Sequence, residues 1–281
     1  MSSIQPYRSG SWRGVVHPQW QEPLSDFDQW LRDHPGAKVL AKKARTVSRV
    51  ETPNGVIYVK IIHRLQERGS AWKMLFSGIK WLFRPSRAAA TFRITDAMLA
   101  KGIGCPEPIL AARRRNAVGW PEDIFICREV PYPSLSSLLK AADNAAARDA
   151  IIANAAQGIA ALHNKGFIHG DCIPGNLCLA PDQSVFFLDN DRTCPIPLLG
   201  KRRARLANVI QFLTRLPLPM QQNDIFALFL DSYRQASAGT SPIDADAMTR
   251  LARKLQRRLT FLAERRAQKA RACILAENPK Q

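Results

Sequence analysis

The sequence predicts an α+β fold of two lobes, a small β-rich N-terminal lobe and a helical C-terminal one, on three observations. Residues 38–62 hold three β-like apolar runs, Val39 to Ala41, Thr46 to Val50 and Val56 to Ile62, and Thr52-Pro-Asn-Gly55 between the last two is a strong turn signal. From residue 135 onward the apolar residues recur at helical spacing. Between Leu162 and Asp191 the pattern changes again. There His169, Asp171, Asn176, Asp189 and Asp191 stand among short β-rich apolar segments, a layout suited to holding a divalent metal and a polyphosphate.

Residues 1–35 are rich in Trp, Pro, Gln and Ser, show little periodicity, and read as an arm packing on or near the first lobe. The N-terminal lobe then spans residues 36–130. In its third β-like run, Val56-Ile-Tyr-Val-Lys60, a lysine occupies the interior of an apolar strand. Burying an ammonium is costly unless it meets an anion, and the phosphates of a nucleotide would serve.

Residues 64–84 read as an insertion. Trp72, Leu75, Phe76, Ile79, Leu82 and Phe83 share one helical face, while five cations stand against Glu67 alone. Such a helix either lies in a membrane interface or packs as an ordinary lobe helix. Pro85 interrupts, Ser86 caps a helix from Arg87 to Lys101, and Gly102 stops it. Asp96, the only acid in that helix, shares a face with Phe92, Leu99 and Ile103 and so points inward. Two further strands follow, the second from Asp123 to Val130, with Arg113-Arg114-Arg115 on a solvated loop between them.

The C-terminal lobe covers residues 131–281. Leu135 to Lys140 opens it, and Arg148 to Asn164 is a helix whose apolar face carries Ile151, Ile152, Ala155, Ile159 and Leu162, ended by Gly166. Leu177 to Leu179 and Val185 to Leu188 form a hairpin, which would bring Asn176 and Asp189 side by side. Asp171, set off by the Pro174-Gly175 turn, would face an incoming hydroxyl as a base. Asp191 either adds a metal or substrate contact or caps the turn. Lys201-Arg-Arg-Ala-Arg205 is either an anion-docking segment or a solvated helix start. Helices over Leu206 to Leu216 and Asn223 to Tyr233 close the lobe. In residues 247–270 Met248, Leu251, Leu255, Leu259 and Leu262 fall at helical spacing among many cations, a leucine stripe with a basic face for an anionic surface.

Composition narrows the partners. With 41 Lys and Arg against 23 Asp and Glu, the net charge of +18 favours an anionic partner. No RNA-recognition, zinc-finger or helix-turn-helix signature accompanies it, so nucleic acid is not expected. The six cysteines form no CxxC pair, which argues against zinc and for free thiols in a reducing compartment, with Cys172 in a packing role. No apolar run of signal-peptide or membrane-spanning kind occurs, so the expected location is cytoplasmic, or peripheral on the inner membrane.

The order and spacing of Asp171, Asn176 and Asp189 resemble the catalytic loop and metal motif of protein-kinase-like enzymes. His169-Gly-Asp171 with Pro174-Gly-Asn176 is closest to their small-molecule branch. Over roughly residues 36–236 the chain resembles the bacterial lipopolysaccharide kinases, which phosphorylate Kdo or heptose sugars. The resemblance implies an ATP- and Mg²⁺-dependent phosphotransferase with an anionic sugar or glycolipid as acceptor. It makes Asp171 the catalytic base, Asn176 and Asp189 the magnesium ligands, Lys60 the ATP anchor, and the backbone near Glu129 to Pro131 the adenine contact. The helix that carries a glutamate in active kinases has only Asp96 to pair with Lys60. The usual Gly-rich loop is replaced by Ala41-Lys-Lys-Ala-Arg-Thr46, where Lys42, Lys43 and Arg45 would meet phosphate with side chains. His169 is expected to brace the loop. Gly170, where regulated kinases often carry arginine, implies constitutive activity. Two alternatives stay open: an aminoglycoside- or choline-type kinase, and a non-catalytic kinase-like scaffold on an anionic membrane surface.

Overall fold

The structure, a computed structural model, describes residues 4–42, 45–62, 85–116, 119–217 and 220–237, together with residues 253, 255–257, 259–265 and 267–268 of a further helix. The expected amphipathic helix of residues 64–84, Lys43, and much of 247–270 lie outside the described residues. Among those described, no helix is long and apolar enough to cross a membrane. The chain divides into two compact units, Met1–Tyr132 with Cys178–Cys194, and Pro133–Leu177 with Pro195–Gln281.

The first unit is built on a seven-stranded antiparallel sheet. Its strands are β1 (Gln5–Ser9), β2 (Trp12–Val16), β3 (Ala37–Lys42), β4 (Arg45–Thr52), β5 (Gly55–Ile62), β6 (Pro108–Arg115) and β7 (Pro121–Arg128), in the order β1-β2-β6-β7-β5-β4-β3. Residues 5–16, within the stretch read as an arm packing on or near this lobe, form two strands of its sheet. Gly14 explains how they fit. A Cβ there would lie 1.9 Å from the Ala111 carbonyl oxygen, so only glycine lets β2 approach β6 this closely.

The tryptophans of the N-terminal segment supply the core over this end of the sheet. Trp12, Trp20 and Phe27 are fully buried against Ile57, Ile109, Leu110 and Ile124, with Trp12 edge-on to Phe27 at 5.5 Å. Phe27 belongs to helix α1 (Phe27–Asp33), which Asp26 caps by accepting from the Gln29 N–H at 3.0 Å.

The arginine triplet is likewise not a solvated loop. Arg113 and Arg114 lie near the end of β6, directly opposite Asp123 and Glu122 on β7, and each pair bonds at 2.7 Å. Such opposite-charge cross-strand pairs contribute about 0.2–1 kcal/mol each. Arg114 also stacks on the Trp12 ring at 4.4 Å, tying the added strands to the middle of the sheet.

Helix α2 (Arg87–Ala100) starts where its sequence signal places it, with Ser86 Oγ accepting from the Ala89 N–H at 3.2 Å. Asp123 secures the same end by accepting from Ser86 Oγ and the Arg87 N–H, each at 3.0 Å. Ala88 and Phe92 then pack on Ala111 and Phe125 of the sheet.

The second unit is helical: α3 (Leu135–Ala141), α4 (Ala145–Asn164), α5 (Lys201–Leu213) and α6 (Asn223–Ala236). Ile152, Ala155, Ala156, Ile159 and Leu162 form the buried face of α4, which packs on α6. Phe212 of α5 stacks on Phe229 of α6 at 5.2 Å. Gly166, at φ +91°, turns the chain out of α4 into the loop that carries Asp171.

Candidate active site

In the first unit β5 alternates. Ile57 and Val59 face the aromatic core, which leaves Lys60 on the opposite face with its side chain 11% exposed. Its ammonium donates to Asp189 Oδ1 at 2.8 Å and to Asp191 Oδ2 at shorter range. Two carboxylates thus offset the cost of burying this cation. Asp96 is not its partner: α2 supplies Thr91 instead, whose hydroxyl lies 3.4 Å from Asp191 Oδ1. Arg45, at the start of β4, completes the group at 3.7 Å from Asp189 and 3.9 Å from Asp191.

The turn that presents the two carboxylates is locally defined. Asp189 takes left-handed backbone, φ +54°, a conformation to which Asp and Asn are best suited after glycine. The buried Asn190 closes the turn by donating to the Phe187 carbonyl and accepting from Thr193 Oγ1, each at 3.1 Å. Asp191, read as either a metal or substrate contact or a turn cap, directs its carboxylate to Lys60.

Glu129 follows β7. Arg49 and Tyr58 bond its carboxylate, with Arg49 Nε at 3.0 Å and the Tyr58 hydroxyl at 3.1 Å, and the Arg49 guanidinium holds its carboxyl below the ordinary carboxylate range. Its N–H donates to the Val56 carbonyl at 2.9 Å. Since Pro131 and Pro133 have no N–H, Val130 and Tyr132 supply the other backbone donors of this stretch.

The second unit carries Asp171 and Asn176. The Asn176 amide donates to the Asp171 carbonyl at 2.9 Å and to its Oδ2 at 3.1 Å, and among the described residues its amide oxygen accepts no hydrogen bond. Gln211 Nε2 donates to Asp171 Oδ1 at 3.3 Å while its Oε1 accepts from the Cys172 N–H at 3.1 Å. Each carboxylate oxygen of Asp171 is therefore oriented by one amide. Cys172 is wholly buried, and that burial pushes its thiol well above the ordinary range, in keeping with a packing role.

Behind the loop stands a buried network. Asn208, three residues before Gln211 on the same face of α5, donates to the His169 carbonyl at 2.6 Å and accepts from the His169 N–H at 3.2 Å and from His163 Nε2 at 3.1 Å. His169 Nδ1 in turn accepts from the Asp171 N–H at 3.3 Å, so it braces the loop. Asn208 and Gln211 have no signature in the sequence. Their (i, i+3) spacing on a helix acquires meaning only beside the loop they hold.

His163 must be neutral here. With Nε2–H donating to Asn208, Nδ1 accepts the Tyr233 hydroxyl at 2.7 Å. Burial lowers its pKa to about 4, helped by Arg205 and opposed by the Asn208 bond. An unfolded chain takes up this proton near the ordinary 6.5, so stability is full above that value and falls as pH drops towards 4. The expected loss is on the order of 3 kcal/mol. Denaturant unfolding at neutral and mildly acid pH should show it, with a flatter dependence in His163→Gln.

No curated protein sequence matches the chain. Among solved structures the chain is similar to WaaP in complex with acyl carrier protein, at 15% sequence identity and a TM-score of 0.57, covering 86% of this chain and 97% of that one. It is also similar to WbdD, co-crystallised with the kinase inhibitor LY294002, at 17% identity over 76% of this chain and 49% of that one, but a TM-score of 0.41 carries no argument. The likeness to WaaP shows the fold, the α+β kinase-like fold that the sequence predicts. The sequence profile of the lipopolysaccharide kinase (Kdo/WaaP) family matches residues 31–233, well over half of the chain, and the protein belongs to that family of sugar kinases.

Proposed function

We propose that the protein transfers the γ-phosphoryl group of ATP to a hydroxyl of a Kdo or heptose sugar in the lipopolysaccharide inner core, with Asp171 as the base. The observation that supports this most is the seating of Asp171. Its two carboxylate oxygens are each held by one amide, so the carboxylate is fixed in direction and keeps further lone pairs for a hydroxyl proton. The first unit provides the nucleotide's groups, Lys60 and the backbone near Glu129, and the second unit provides Asp171.

The donor set fits Mg²⁺. Asp189 and Asp191 are hard oxygen donors on one turn, and the Asn176 amide oxygen has no hydrogen bond among the described residues. Asn176 and Asp189 would hold the ion, which when bound neutralises charge on the phosphate oxygens. The chain's own contribution is then mainly positioning and electrostatics: Lys60 fixes the nucleotide, and Asp171 orients and deprotonates the acceptor. The excess of positive charge suits a phosphorylated, carboxylated acceptor better than a cationic one. Peripheral contact with the inner membrane through residues 64–84 and 247–270 belongs to the same reading.

The test is transfer of label from γ-labelled ATP to purified lipopolysaccharide core, with and without a chelator. Label entering the sugar, lost on chelation and restored by Mg²⁺, is the expected result. No transfer together with no ATP binding would leave a kinase-like scaffold as the better account.

A further inference from the structure

Leu198 and Leu199 are 86% and 90% exposed, the two most exposed large apolar side chains among the described residues, and they are adjacent. Scattered exposed apolar residues are ordinary, but a contiguous pair within a wholly exposed stretch is not. The segment is anchored at its base, where the Ile196 N–H donates to the Gly166 carbonyl at 2.8 Å. Pro195 and Pro197 stiffen its ascent, and Gly200, in left-handed backbone at φ +77°, turns it into α5. Residues 197–200 are all exposed.

Directly after this tip, α5 opens with the exposed residues Lys201, Arg202 and Arg203. No acidic residue lies in that first turn and no side chain caps it. Cations at a helix N-terminus oppose the helix dipole, so these residues do not serve the helix they begin. In water alone the leucine pair stays unburied, and the placement of the cations opposes the dipole of the helix they begin. An anionic bilayer offsets both, since its acyl boundary accepts the leucines and its headgroups the cations.

We propose that residues 195–203 are a membrane-seating finger. Leu198 and Leu199 enter the acyl boundary of an anionic phospholipid surface, and Lys201, Arg202 and Arg203 lie among its headgroups. An exposed pair of leucines beside three exposed cations is suited to a fluid anionic lipid surface, whereas a protein partner would need a preformed apolar socket for it. The inference goes beyond the phosphotransfer reading and can fail independently of it, because its readout needs neither ATP nor acceptor.

The experiment sediments the full chain with vesicles of phosphatidylcholine alone or mixed with phosphatidylglycerol, at low and high salt, beside Leu198→Ser/Leu199→Ser. Both side chains are exposed, so the double variant should melt as the wild type does. The expected result is wild-type binding to the anionic vesicles and roughly a tenfold or greater loss in the double variant. The difference should persist at high salt, where the general attraction of a basic protein is screened. Amide hydrogen exchange should slow across Leu198–Arg203 only when anionic vesicles are present. Equal binding by the double variant, no binding at all, or protection of this segment without vesicles would each overturn the proposal.

Discussion

Asp171→Asn lowers the rate of sugar phosphorylation by roughly 100- to 10,000-fold, the range that a positioned general base contributes, while ATP still binds as tightly. The asparagine keeps the size of the carboxylate but cannot take a proton. The loss is expected in turnover because the bonds from Gln211 and Asn176 orient the carboxylate, whereas the nucleotide is proposed to rest on Lys60 and the backbone near Glu129. Gln211→Ala is the companion. It leaves the base in place but frees one of its oxygens, and should cost turnover about tenfold by loosening orientation. Single-turnover transfer with a separate ATP titration distinguishes the two. Equal turnover in Asp171→Asn and wild type would remove Asp171 from the reaction.

Asp191→Asn weakens ATP binding by roughly 10- to 100-fold, the effect of losing one charge-assisted hydrogen bond to a mostly buried ammonium. Lys60 is shared between Asp189 and Asp191. Without the Asp191 charge the lysine has only Asp189, the carboxylate that the proposed metal also needs, so anchor and metal compete for one group. That loss would give Asp191 the part expected of a glutamate on the helix, taken instead by the turn that also carries Asp189. Asp96→Asn is the control, expected to leave ATP affinity unchanged because Lys60 does not pair with it. Calorimetric titration of ATP with Mg²⁺ decides. A silent Asp191→Asn beside a damaging Asp96→Asn would reverse the assignment.

What could be read from the sequence was what is local. The Thr52-Pro-Asn-Gly55 turn and the Ser86 cap depend on residues within a few positions of one another, and the structure forms both of them. What escaped depends on distant partners. Strands β1 and β2 are five residues long and find their place only against β6, almost a hundred residues later. Arg113 and Arg114 resemble a solvated run until β7 sets acids opposite them. Inward-pointing Asp96 was the natural partner for Lys60 on periodicity alone, yet the lysine reaches 131 residues along the chain to Asp191. Asn208 and Gln211 sit in a helix whose most visible feature is its charge, and their role is set by the loop against which that helix lies.

The seven-stranded order has a practical consequence for anyone preparing the protein. The family match begins at residue 31, inside α1, and a chain trimmed to that point would lose β1, β2 and most of α1. Strand β6 would become the rim of the sheet, with the backbone of Leu110 to Arg113 open to pairing and Ile109 stripped of its tryptophan cover. An uncovered rim of this kind invites other copies to add to it, so trimming should yield aggregates. The region shared across the family is thus shorter than the segment that folds, and expression boundaries belong ahead of Gln5.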